Sequence, residues 1–203
     1  MHPHEIKLVR QYAINEIAGG LLIGKHSLAS QDPFVRSKLT FQATDEFRHG
    51  SLWTEFLDKR GIDTALAKGG NDFFEYMGKQ ESDIDFLAAV HVYELRVPFQ
   101  FGAHMDMTSV DPELKELIKF IYDDEKFHLV WIREYLLEKM KTDSTVVLEA
   151  IRRAEAVERE AYERYIAHIK TYGEYFGEFV AIVESRLKAF PLPSAGFVHA
   201  SRT

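Results

Sequence analysis

The chain has no cysteine, which excludes disulfides, thiolate metal sites, iron–sulfur clusters and cysteine nucleophiles. No uninterrupted apolar run approaches the roughly 20 residues of a membrane-spanning helix, so no span is expected. The opening Met1-His2-Pro3-His4-Glu5 lacks the apolar stretch of a secretory signal. With the missing cysteine, this sets the expectation of a cytoplasmic protein. An excess of positive charge is also missing. The net charge is −7 and the pI about 5.7, so nucleic acid is not an expected partner. No segment alternates apolar and polar residues in the manner of a strand. The expected class is all-α, with 203 residues suiting one domain over 1–190 and a tail over 191–203.

What is present is helical periodicity with polar residues on the inner stripes. A first helix is predicted over 5–29, with Val9, Tyr12, Glu16, Gly19, Gly20 and Ile23 on one face. Asp32-Pro33 reads as a cap followed by proline at the first helical position. It opens a second helix to about Arg60, whose inner face carries Leu39, Glu46, His49 and Trp53. The stretch 61–81 is weakly patterned, with one short helix near Phe73–Met77, and suits a long crossover. A third helix is predicted from Ser82 to about Met105, carrying His91, Glu94 and Val97 inward. Asp111-Pro112-Glu113 starts a fourth, with Ile121, Glu125, His128 and Ile132 on its stripe. A long charged fifth segment follows from Ser144 to Lys188, broken near Gly173 and Gly177. Its Glu155, Glu158, Arg159, Glu163 and Arg164 suit a solvated face or a modest dimer contact.

Two Glu-x-x-His motifs stand out, Glu46 to His49 and Glu125 to His128. Residues three apart on a helix share a face, so each motif points a carboxylate and an imidazole the same way. That mixture suits iron, manganese or zinc better than magnesium or calcium. Glu16 precedes the first motif, and Glu94 the second, by about 30 residues, the length of a helical hairpin. The candidate ligands are therefore Glu16, Glu46, His49, Glu94, Glu125 and His128. No catalytic group beyond them is assigned. Asp45 and Asp124 are candidates to hold the outer ring nitrogens of the histidines, and Arg48 to pair with one of them. His91 reads better as a core histidine than as a ligand. Tyr12 lies one turn before Glu16 and reads as core or as a hydrogen-bonding neighbour. Pro98 lacks the N–H that would bond the carbonyl of Glu94, so a bend is expected at that ligand. Gly19 and Gly20 serve either close packing or space beside the metals.

On these residues the chain resembles the ferritin-like di-iron carboxylate superfamily over roughly residues 5–141. It is similar to di-iron oxygenases and oxidases in the aspartates, Asp45 and Asp124, that precede each motif glutamate. Bacterioferritin and rubrerythrin are more distant likenesses. The resemblance implies a four-helix bundle with one long crossover and an additional C-terminal helix. It also implies two iron ions, with manganese or zinc as substitutes. The expected activity is O₂-dependent oxidation or oxygenation of a small organic substrate, with an electron donor as a further candidate partner. Ferroxidase or iron storage, or a rubrerythrin-like peroxidase, is the alternative. A monomer or small homo-oligomer is expected, a dimer above all.

Overall fold

The computed structural model describes residues 1–64, 72–189 and 192–200. It is all-helical, with no strand among the described residues. The chain divides into two compact units, Met1–Lys79 and Gln80–Thr203, where the sequence suggests one domain over 1–190.

The first unit is a helical hairpin. Helix α1 (Pro3–Ala29) starts on Pro3, and helix α2 (Pro33–Asp58) starts on Pro33. The Asp32 carboxylate caps α2 by accepting from the Phe34 and Val35 N–H groups at 2.9 and 3.4 Å. Gly61 ends α2 with φ +63, its N–H bonding Asp58 while that of Ile62 bonds Leu57. This is the left-handed cap that favours glycine. The three residues between α1 and α2 force an antiparallel pair. A Cβ on Gly50 would lie 2.7 Å from Ile17 Cγ1, so glycine there lets the two helices close. Helix α3 (Asp72–Met77) packs on α1 and matches the short helix expected near Phe73. The middle of the predicted crossover, 65–71, lies outside the described residues.

The second unit begins at α4 (Asp83–Glu94), capped by the Ser82 hydroxyl, which accepts from Asp85 N–H at 3.1 Å. The predicted third helix is broken, as Pro98 requires: α4 stops at Glu94 and α5 runs Val97–Asp106. Asp111 caps α6 (Pro112–Met140), and Asp143 caps α7 (Ser144–Lys170). Gly173, at φ +71, turns the chain into a 3₁₀ turn, Gly173–Phe176, before α8 (Gly177–Ala189). Helix α4 packs on α6 and α7, while α5 packs on α6 and α8. Phe86, Leu87, Ile118, Ile132, Ile151 and Phe179 fill the space between them.

Two expectations need correction. Pro193–Ala200, inside the predicted tail, forms a helix, α9, docked on α7 with Phe197 buried. Burial of one large ring offsets the ordering of so short a segment. Glu155 and Glu158 are buried rather than solvated. Glu155 accepts from the Ser194 N–H of α9, and Glu158 pairs with Arg96 at 2.6 Å. Arg159, Glu163 and Arg164 are exposed, as expected.

Candidate metal centre

All six predicted ligands are at most 7% exposed. That is unusual for carboxylates, which stay in water unless something compensates their charge. In the first unit, Glu16 comes from the middle of α1, and Glu46 and His49 from successive turns of α2. One ligand atom from each can be chosen so that all lie within 4.8 Å of one another. His49 Nδ1 is 3.6 Å from Glu16 Oε2. The other oxygen of Glu16 accepts from the Trp53 indole N–H at 3.3 Å. Trp53 is wholly buried, and its ring lies 5.3 Å from that of Tyr12.

The second unit repeats the set. Glu94 is the last residue of α4, while Glu125 and His128 are one turn apart on α6. Here too the three residues offer ligand atoms within 4.8 Å of one another. His128 Nδ1 lies 2.9 Å from Glu125 Oε2 and 3.8 Å from Glu94 Oε1. Each unit thus presents two carboxylates and one imidazole, with Nδ1 of His49 beside Glu16 and Nδ1 of His128 beside both Glu94 and Glu125. Buried carboxylates this close repel one another unless a proton or a cation sits between. The donor set fits a divalent ion of intermediate hardness and does not select among iron, manganese and zinc.

The neighbours sort as follows. Asp45 pairs with Arg48 at 3.2 Å, both partly exposed; the pairing matches expectation and lies at the surface. Asp124 is half-buried on α6. His91 is a core histidine: burial first, and Arg133 second, lower its pKa to about 4, and its ring meets Phe197 edge-on at 5.5 Å. Of the two glycines, Gly20 serves packing, since a Cβ there would crowd Phe47 Cε1 at 3.1 Å and Glu46 Cβ at 3.2 Å. A Cβ on Gly19 would meet Glu46 Oε2 at 3.6 Å, an ordinary contact. Ile23, Ile121 and Ile132 are buried as predicted, and Val97 is half-buried.

Trp53 is the site residue that periodicity alone does not reveal. It falls on the ligand stripe of α2, but a stripe position says nothing about where an indole N–H aims. Its only sequence signal is a polar-tipped aromatic one turn beyond a ligand histidine.

No protein-family model and no curated protein matches the chain.

Proposed function

We propose that the chain is a di-iron carboxylate protein of ferritin-like build, an O₂-activating oxidase or oxygenase of a small organic substrate. The observation that carries this reading is the duplicated buried set, Glu16 with Glu46 and His49, and Glu94 with Glu125 and His128. One set alone fits a mononuclear site. Two equal sets supply four carboxylates, whose charge balances two divalent ions, the number a di-iron protein carries.

Such a pair of iron ions supplies the electrons to reduce O₂ and an oxidising site for a C–H, N–H or aldehyde group. The protein residues bind and orient. Nδ1 of His49 lies 3.6 Å from Glu16 and Nδ1 of His128 2.9 Å from Glu125; with a metal bound between, each Nδ1 would give it the lone pair and the ring proton would sit on Nε2. The Trp53 N–H holds one oxygen of Glu16 and leaves the other towards His49. Ile23, Ile121 and Ile132 exclude water. Asp124, half-buried on α6, is kept as a candidate to hold an outer histidine nitrogen, while Asp45 is taken by Arg48 at the surface.

The test is O₂ uptake by protein loaded with Fe(II) under anaerobic conditions. The oxidase reading expects a small fixed ratio of O₂ to iron, abolished in Glu46→Ala and Glu125→Ala. Absence of O₂ uptake overturns it. Continuing uptake as excess Fe(II) is added favours the ferroxidase or storage alternative.

A further inference from the structure

We infer that the Arg96–Glu158 ion pair is a clamp that positions Glu94, so that α7, which carries no ligand, sets metal affinity. The inference rests on the reading of Glu94 as a ligand.

Glu94 sits where the backbone is least supported. Helix α4 ends on it, Arg96 N–H turns back to Tyr93 at 2.9 Å, and Pro98 offers no N–H to the Glu94 carbonyl. Arg96 is the N-cap residue of α5, yet its side chain makes no cap bond there. It crosses to α7 instead. Its Nε donates to Glu158 Oε1 at 2.6 Å, and its guanidinium lies over the Tyr162 ring at 4.5 Å. Four residues further on, Gln100 Nε2 donates to Tyr165 Oη, also on α7, at 2.6 Å. The start of α5 is therefore bonded to α7, the same helix on which α4 packs on the other side of the break.

Packing does not do this work alone. A cavity of about 300 Å³ lies beside Arg96, lined by Val92, Leu95, Tyr162 and Leu192, so the side chain is fixed by its bonds. Glu158 is 4% exposed, and burial raises its carboxyl pKa against the pull of Arg96. Stability is a poor reason to keep such a pair, because apolar replacements of similar volume are often neutral or better. Fixing one arrangement of the chain beside a ligand is a sufficient reason.

That difference supplies the experiment. The double variant Arg96→Met/Glu158→Leu removes the clamp and keeps the volume. Wild type and variant are titrated with Co(II), a metal of the same ligand preference, and melted without metal. The clamp predicts a melting temperature near that of wild type, with one Co(II) per chain bound about 10–100-fold more weakly, the usual loss when the support of a ligand is removed. Equal Co(II) affinities in two folded proteins overturn it, as does an affinity that changes only in step with stability. Should the double variant not fold, Glu158→Gln, which keeps an acceptor but loses the charge, is judged by the same criterion, with a smaller loss expected. Wild-type protein that takes up no Co(II) overturns the metal-centre reading itself, a result distinct from failure of the clamp.

Discussion

Glu16 has two oxygens that can turn towards a metal or away from it, and Trp53 N–H holds one of them at 3.3 Å. Trp53→Phe keeps most of the ring packing and deletes that donor. The metal-free protein should lose about 1 kcal/mol of stability, the usual worth of one buried hydrogen bond, as read by urea denaturation. Metal affinity should fall several-fold in the same variant. Unchanged affinity would leave Trp53 as packing only. His91 gives a pH prediction. Its folded pKa is about 4 against an ordinary 6.5, so the unfolded chain takes the proton first as pH falls. The stability it contributes is complete above pH 6.5 and is lost as pH drops towards 4. The loss approaches about 3 kcal/mol at the acid end. His91→Phe should flatten that part of the profile in metal-free protein, and parallel wild-type and variant profiles would contradict the assignment.

At the scale of elements, the contrast between Gly50 and Gly24 tests why α1 and α2 lie so close. Gly50→Ala places a methyl 2.7 Å from Ile17 Cγ1 and should cost about 1–3 kcal/mol as overpacking. Gly24→Ala meets only the Ala43 methyl at 3.8 Å and should be neutral or stabilising by up to about 1 kcal/mol, the helix-propensity difference. Thermal melts of both variants check this, and equal effects would mean that the helices are not held at contact. Much at this scale is legible from local chemistry. Asp32-Pro33 and Asp111-Pro112 start α2 and α6 as read, and Pro98 breaks the third helix at Glu94. What stays hidden depends on distant partners. Burial of Glu158 follows from Arg96, 62 residues away, and no periodicity of α7 announces it. Helix α9 is hidden for the same reason, since it is held by contacts of Phe197 and Ser194 with remote residues.

For the whole molecule, six candidate ligand positions are readable because burial is written in the stripe and chemistry in the residue type. The division into two units is not, because helical periodicity names a buried face without naming what covers it. Phe34 and Phe41 stand exposed seven residues apart on α2, and Phe120 and Phe127 do so on α6. Exposed aromatics repeated along one helix face favour association, which is the ground for testing the small homo-oligomer expected from the sequence. Phe41→Asp with Phe127→Asp should move the protein to the monomer position in sizing chromatography, and an unchanged elution volume would remove these faces from the interface.

The central claim is that two buried triads hold two ions, and counting metal tests it most directly. Purified metal-free protein is titrated with Fe(II) anaerobically, desalted and analysed for iron. The account predicts saturation at about two irons per chain, one for each triad, and a lower count in Glu125→Ala. Saturation below one iron per wild-type chain would contradict it.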